Sequence, residues 1–184
     1  MLCSTTTMRI AKRKMDASVY RSTAVYYIGS PADDVLDCER ICIVTATNAV
    51  TCKSYGITRT LATKYPYGDV VGTRYTDIGR NYACSRDRGV VGSVLQSRSS
   101  TRSDKPVIVT MITQYGIGGS IEDNAYAQKA AMYSKDGEHA DSLRKDTHQD
   151  RVAAFTNCLD GLRNLLLSPE FTDVDFLVVP FGIG

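Results

Sequence analysis

The sequence predicts an α/β fold built on a parallel or mixed sheet. Three short apolar runs, at residues 41–44, 107–112 and 175–179, have the composition of buried strands. Each run is followed by a polar or glycine-containing loop, and helical patterns stand between the runs. Loops that follow parallel strands gather at one edge of a sheet, where such folds bind ligands. The sequence therefore predicts one ligand edge formed by three loops.

The composition is that of an ordinary globular protein. The 184 residues are 43% hydrophobic and 23% charged, with a net charge of +2. This length predicts one domain, and the small charge by itself requires neither nucleic acid nor an anionic membrane as partner. No apolar run approaches the roughly 18 residues of a membrane span. Residues 1–20 lack the apolar core of a secretory signal, and we expect them to form a flexible N-terminal arm.

The cysteines and histidines favour an intracellular protein, cytoplasmic or nuclear, without a structural metal. The six cysteines form no C-x-x-C pair, and Cys42 and Cys158 lie within apolar patterns, where thiols act as small core residues. A reducing compartment fits this usage. The two histidines, His139 and His148, have no second ligand at zinc spacing. We therefore expect neither a metal nor a cofactor.

The first loop follows residues 41–44 and leads into a short helical pattern of Ile57, Leu61 and Tyr65, which ends at Pro66. A glycine in the loop lets the backbone approach a phosphate, and the helix directs the positive end of its dipole at the same place. An ordinary βα connection explains the same residues, since Asn and Gly are common in turns. The candidate ligand residues of this loop are Thr47, Asn48, Ser54 and Gly56.

Two further strands and a long helix complete the pattern. Residues 25–28 predict a strand that ends in a turn, residues 90–96 predict another, and residues 121–150 predict a charged surface excursion with a helical turn or two. A helix is predicted from Arg151, with Thr147 as its cap and Ser168-Pro169 as its stop. Its apolar stripe, expected to lie on the sheet, comprises Val152, Phe155, Leu159, Leu162 and Leu166.

Between residues 74 and 88, basic side chains alternate with aromatic ones: Arg74, Tyr75, Arg80, Tyr82, Arg86 and Arg88. Such a segment can bind single-stranded nucleic acid through phosphate contacts and stacking. It can also be a solvated rim that packs tyrosine against the fold, and the small net charge favours this interpretation. Nucleic acid is therefore an alternative partner that we do not favour.

Glycine loops also follow the second and third apolar runs, at residues 113–120 and 180–184. Backbone N–H groups in glycine turns form concavities that suit phosphate oxygens. Three such loops at one edge of a sheet predict a phosphorylated or pyrophosphate ligand.

Four stretches together resemble the macro domain, in particular its divergent ADP-ribose 1''-phosphate phosphatase-like branch. They are residues 45–70 (TATNAVTCKSYGITRTLATKYPYGDV), 87–96 (DRGVVGSVLQ), 107–119 (VIVTMITQYGIGG) and 174–184 (VDFLVVPFGIG). The resemblance implies a three-layer α/β/α fold with a mixed sheet that holds ADP-ribose in a cleft across the sheet edge. Residues 21–184 would form this ADP-ribose-binding domain, apparently without its C-terminal elements, because the chain ends within the expected phosphate loop.

The resemblance also implies roles for individual residues. Asn48 would face the distal ribose and position substrate and water, which makes it the candidate catalytic residue. The first loop would contact the pyrophosphate and ribose through Ser54, Tyr55, Gly56 and Ile57. The distal end would be formed by Gln114, Tyr115 and Gly116, with Tyr115 as a stacking or lid residue. Phe181, Gly182, Ile183 and Gly184 would cradle the phosphates. The pair Gly29-Ser30 stands where many macro domains carry Gly-Asp against adenine, and a hydroxyl makes a weaker contact there.

The activity that this likeness implies is hydrolysis of ADP-ribose 1''-phosphate or removal of ADP-ribosyl groups, with ADP-ribose or an ADP-ribosylated substrate as partner and no membrane. The lysine of the glycohydrolase branch has no match, since Thr113 and Gln114 occupy its place. Asparagine cannot act as a general base, so an acidic or histidine partner must come from elsewhere. Asp69, Asp123 and His148 are candidates, although a surface position without a catalytic role is the favoured interpretation of each. The alternatives are a non-catalytic ADP-ribose reader and an RNA-binding protein that uses residues 74–88.

Overall fold

The computed structural model describes residues 36–37, 39–74, 83, 87–102, 104–116, 120, 146–174 and 176–178. These residues form an α/β fold with one mixed sheet and two α-helices. The elements in chain order are β1 (Ile41–Asn48), α1 (Gly56–Lys64), β2 (Val94–Ser97), β3 (Val107–Gln114), α2 (His148–Leu166) and β4 (Phe176–Val178), with short 3₁₀ turns at Pro66–Gly68 and Pro169–Phe171.

The described sheet has four strands in the order β2-β3-β1-β4. Strand β1 pairs in parallel with β3 on one side and with β4 on the other, whereas β2 is antiparallel to β3. The predicted mixed sheet is therefore confirmed. Because β1 and β3 are parallel neighbours, their carboxyl ends lie side by side, as the sequence predicts for the first two loops.

The strands at the centre of the sheet are longer than predicted, and one peripheral strand is shorter. The predicted strand at 41–44 continues to Asn48, and the one at 107–112 continues to Gln114. The strand predicted at 90–96 begins only at Val94, because residues 90–93 form a turn in which the N–H of Ser93 donates to the carbonyl of Val90. Gly92 has a φ of +85° there, which disrupts the extended backbone. The strand predicted at 25–28 lies outside the described residues.

Apolar side chains cover both faces of the sheet, so the described part of the fold has three layers. Residues of α2 and of the Pro169–Phe171 turn pack on one face, against Cys42, Val44, Val107, Val109 and Met111. Residues of α1 pack on the other face, where Leu61 and Tyr65 contact Ile43 and Ile108. Burial on both faces explains why the β1 and β3 segments are nearly continuous apolar runs.

The short helix α1 confirms the predicted strand, loop and helix succession. Its buried residue Leu61 and the C-terminal Tyr65 are the positions that the periodic pattern selects. The N–H of Tyr65 donates to the carbonyl of Leu61 at 2.6 Å, and Pro66 then begins a 3₁₀ turn. Proline lacks the N–H that another helical turn would need, so the helix ends there.

Helix α2 has the predicted cap, but only the C-terminal part of the predicted apolar stripe packs on the sheet. Thr147 and Asp150 form a reciprocal capping box at its start. Of the predicted stripe, Leu162 is buried and Leu166 is half-buried against the same core, whereas Val152, Phe155 and Leu159 are exposed. The buried residues of the helix are Ala154, Cys158 and Leu162.

Small residues explain why α2 is rotated about its axis relative to the orientation that the apolar stripe predicts. A Cβ atom on Gly161 would lie 2.9 Å from Cγ2 of Val94, so only glycine lets the helix lie this close to β2. On the same side, Gly92 approaches the Cα of Ala154.

The two cysteines predicted to be core residues are fully buried, and neither forms a disulfide. Burial raises the pKa of the Cys42 thiol to about 12, and it also raises the pKa of Cys158. Both groups are therefore protonated packing residues at neutral pH. Within the described residues, no helix is both long and apolar enough to cross a membrane.

Candidate functional site

The candidate site lies at what we call the carboxyl edge, the place where β1 ends at Asn48 and β3 ends at Gln114. These two residues are paired across the strands, but the register shifts between Thr47 and Asn48, so that Thr113 is bulged out of the ladder. The N–H of Ala49 then donates to the carbonyls of Gln114 and Tyr115, at 2.9 and 3.1 Å. Bulges of this kind re-aim side chains at the ends of strands. Thr47 and Asn48 are both half-buried at this edge.

The side chain of Asn48 is held by the loop that follows it. Its Oδ1 accepts hydrogen bonds from the N–H of Val50 at 3.0 Å and from the N–H of Thr51 at 2.8 Å. Two backbone donors identify this atom as the oxygen, so the other terminal atom is Nδ2. Nδ2 makes no hydrogen bond within the described part of the chain. The amide group therefore presents a fixed donor at the carboxyl edge.

Arg74 crosses beneath this loop. Its Nη1 donates to the carbonyl of Asn48 and to the carbonyl of Thr51, both at 2.8 Å. The N–H of Gly89 donates to the carbonyl of Ala49 at 2.9 Å and brings a second segment against the same loop. Side chain and backbone contacts thus fix residues 48–51 from three sides.

The rest of the first loop lies along an open groove of about 620 Å³ on the flank of α1. Ser54 donates from Oγ to Oδ1 of Asp69 at 2.7 Å, and the N–H of Gly72 donates to the same oxygen at 2.9 Å. A Cβ atom on Gly72 would lie 2.2 Å from Oδ2 of Asp69, so a larger residue there would displace this carboxylate. Tyr55 and the cations Lys53 and Arg59 also line the groove.

The start of α1 is open to solvent. Tyr55 precedes the helix and is 61% exposed, and no side chain of the described residues caps the first turn. Gly56 has a φ of +54°, and a Cβ atom there would meet nothing within 4 Å. Ile57 instead packs against the buried cluster of α1, which gives it a structural role. The free N–H groups of this turn are suited to an anion.

At the end of β3, Tyr115 is fixed by contacts around its ring and backbone. Its hydroxyl accepts a hydrogen bond from Nη1 of Arg88 at 2.6 Å, and its N–H donates to Oδ2 of Asp146 at 2.7 Å. The ring also packs against Ile112 and its buried neighbours. These contacts favour a fixed side chain over the predicted lid. Gln114 donates from Nε2 to the carbonyl of the buried Gly116 at 2.9 Å, which closes a tight turn.

Three candidate base residues have different positions. Asp69 lies in the groove beside Ser54. His148 begins α2 and is exposed. Asp123 lies outside the described residues, as do the predicted ligand residues Gly29, Ser30, Phe181, Gly182, Ile183 and Gly184. No three His, Cys, Asp or Glu side chains of the described ranges come together as a metal site.

Sequence reasoning missed the roles of Arg74, Arg88 and Asp146. It assigned the two arginines to a solvated rim or an RNA surface, whereas both donate to groups of the fold at the carboxyl edge. The tyrosine that Arg88 contacts is Tyr115, which follows β3 and lies 27 positions along the chain, so the interleaved pattern did not contain the partner. Asp146 falls in a charged stretch, and only its position just before the capping residue Thr147 distinguishes it. The remaining members of the 74–88 pattern lie outside the described residues.

Comparison of the chain with models of known families, with curated proteins and with solved structures finds no significant match.

Proposed function

We propose that the chain binds ADP-ribose or an ADP-ribosylated substrate at the carboxyl edge and hydrolyses a bond of that ligand, as its resemblance to the macro domain implies. A macro-domain fold is part of the same proposal, supported by the three layers and the mixed sheet. The observation that carries the proposal is the fixed amide of Asn48, whose Oδ1 is held by two backbone N–H groups. A preorganised donor of this kind suits a sugar hydroxyl, because little side-chain entropy is lost on binding.

The first loop supports a phosphorylated ligand. The first turn of α1 has no acidic residue, and the described residues provide no side-chain cap for it. Gly56 leaves open space above the backbone. Lys53 and Arg59 line the adjoining groove and add positive charge. A pyrophosphate over this loop would meet backbone N–H groups and two cations.

Hydrolysis requires a group that accepts a proton from water, which the Asn48 amide cannot do. We assign this role to Asp69, because its carboxylate lies beside the first loop and is oriented by Ser54 and Gly72. The free N–H groups of the loop would stabilise the charge that develops on a phosphate or ribose oxygen.

A non-catalytic ADP-ribose reader is the second candidate. The observation that favours it is that Asn48 has only backbone partners and Arg74 among the described residues, with no carboxylate or imidazole bonded to it. A reader needs the fixed donor but no base beside it.

Binding and turnover of the full chain separate these candidates. ADP-ribose is titrated calorimetrically, and the same preparation is incubated with ADP-ribose 1''-phosphate and with an ADP-ribosylated protein while released phosphate and ADP-ribose are measured. The hydrolase predicts binding by both the natural chain and Asp69→Asn, with turnover lost only in the variant. Binding without turnover by the natural chain selects the reader. Absence of ADP-ribose binding by the natural chain contradicts both.

RNA binding through residues 74–88 is less well supported, because Arg74 and Arg88 donate to groups of the fold. An intracellular location completes the proposal, since Cys42 and Cys158 are buried without a disulfide.

A further inference from the structure

Arg74 carries a charge that the described fold does not neutralise. Within the described residues, its guanidinium donates hydrogen bonds to two neutral carbonyl groups, those of Asn48 and Thr51. Its Nη2 atom is buried and has no hydrogen-bond partner within the described residues. None of the ion pairs formed by the described carboxylates involves Arg74. A guanidinium stays protonated in proteins, so the charge persists beneath the loop.

Burial makes the charge of Arg74 energetically unfavourable. Desolvation lowers the pKa of the Arg74 guanidinium from its ordinary value, against the opposing influence of the neighbouring Cys52. A buried charge without a partner destabilises the fold, and a buried donor left without an acceptor destabilises it further. Perturbed charges of this kind cluster at functional sites.

The packing around the guanidinium is specific. A Cβ atom on Gly89 would lie 2.9 Å from Nη2 of Arg74 and 2.4 Å from Cδ1 of Ile112. Glycine at this position therefore leaves the space that the guanidinium occupies. Through its bonds to residues 48 and 51, Arg74 also holds the two ends of the turn whose N–H groups bind Oδ1 of Asn48. The arginine thus acts on Asn48 through the backbone.

We propose that Arg74 is a positioning and specificity-determining residue: it fixes the Asn48 turn, and its unneutralised charge makes the carboxyl edge select anionic ligands of the phosphate or pyrophosphate class. The proposal rests on the function proposed above for the identity of the ligand, but the charge selection is a property of this chain that inorganic pyrophosphate alone can test. Electrostatic attraction in a partly buried site is screened much less than at the surface.

The test compares the natural chain with Arg74→Gln, Arg74→Lys and the control Arg163→Gln, which removes one exposed positive charge from α2. Each protein is titrated with inorganic pyrophosphate, with ADP-ribose and with uncharged adenosine. Arg74→Gln keeps an amide donor but removes the charge, so we expect its affinity for pyrophosphate and ADP-ribose to fall about tenfold or more. Its affinity for adenosine should change less than about twofold, and Arg74→Lys should restore most of the anion affinity.

The positioning role has its own readout. Hydrogen exchange of the Val50 and Thr51 N–H groups, which bind Asn48 Oδ1, should quicken in both Arg74 variants, because neither lysine nor glutamine reproduces the guanidinium geometry. Unchanged pyrophosphate affinity in Arg74→Gln, or an equal loss in Arg163→Gln, would overturn the charge selection. Unchanged exchange would overturn the positioning. Pyrophosphate binding without ADP-ribose binding by the natural chain would leave Arg74 selective and reject the proposed function.

Discussion

Arg151 binds the buried carboxylate of Asp146 through two hydrogen bonds, 3.1 Å from Nε to Oδ2 and 3.0 Å from Nη2 to Oδ1. The same carboxylate accepts the N–H of Tyr115 at 2.7 Å. Asp146 precedes the cap of α2, and Tyr115 follows the last residue of β3. One carboxylate therefore joins the end of a central strand to the first turn of the long helix, next to the carboxyl edge.

We predict that Asp146→Ala lowers the free energy of unfolding by about 3 kcal/mol, because it removes one member of a buried ion pair and leaves the other charge behind. Urea denaturation measures this change. Asp160→Ala is the matched control, since Asp160 lies on the exposed side of the same helix, and we expect it to change the free energy by less than about 0.5 kcal/mol. Equal effects of the two substitutions would show that the ion pair does not join β3 to α2.

Leu162 and Leu159 provide an internal comparison on α2. Leu162 is 6% exposed and packs in the core, whereas Leu159 is 45% exposed. We predict that Leu162→Ala lowers the free energy of unfolding by about 2–4 kcal/mol, through lost burial and the cavity left behind. Leu159→Ala should cost less than about 1 kcal/mol. Chemical denaturation of both variants measures these changes. If the whole predicted apolar stripe packed on the sheet, the two substitutions would lower the free energy of unfolding by similar amounts.

Some features of α2 could be predicted from the sequence and others could not. Its existence, its Thr147 cap and its end near Ser168 follow from local signals that do not depend on the rest of the fold. The buried face does not follow, because periodicity favoured large side chains while the sheet accepts the face with Ala154 and Gly161. The buried face depends on how closely β2 and the Gly92 turn approach α2, and this distance is set by the tertiary structure and not by the local sequence.

The candidate site also has features that could be predicted from the sequence and features that could not. The positions of Asn48 and Gln114 at the ends of parallel strands could be predicted, because apolar runs locate the strands and topology brings their ends together. The contact of Arg74 with Asn48 could not be predicted. It joins residues 26 positions apart through a segment rich in glycine, which has no periodicity to indicate a buried side chain.

Asp37 makes the stability of the fold sensitive to acid. Its carboxylate accepts hydrogen bonds from Tyr65 at 2.9 Å and from Lys105 at 2.5 Å, and Nζ of Lys64 lies 3.4 Å away. Burial raises the pKa of Asp37, but the bonds from Lys105 and Tyr65 and the charges of both lysines together lower it below its ordinary value. The folded state therefore binds this proton less readily than the unfolded state does.

The sign of the pH effect follows from that lowered pKa. The contribution of Asp37 to the free energy of unfolding is present above about pH 4 and is lost as the pH falls through the lower pKa of the folded state. We predict that Asp37→Asn lowers stability by about 1 kcal/mol at pH 7 and makes stability fall less steeply below pH 4. Urea unfolding across this range measures both. An acid profile parallel to that of the natural chain would exclude Asp37 as a contributor, and Asp173→Asn serves as the surface control.

The substitution Asn48→Asp tests most directly our proposal that Nδ2 of Asn48 donates a hydrogen bond to ADP-ribose. An aspartate keeps an oxygen to accept the N–H groups of Val50 and Thr51, so the loop should remain folded. It replaces the donor by a negatively charged oxygen, which repels an anionic ligand. Asn48→Ala removes both functions of the side chain.

The measurement is a calorimetric titration of ADP-ribose into the natural chain, Asn48→Asp and Asn48→Ala, each with its free energy of unfolding determined in urea. We predict that the natural chain binds, that Asn48→Asp loses affinity about tenfold or more at nearly unchanged stability, and that Asn48→Ala also loses stability, by about 1–2 kcal/mol. Unchanged affinity in Asn48→Asp, or no binding by the natural chain, would contradict the claim that this amide forms the ligand site.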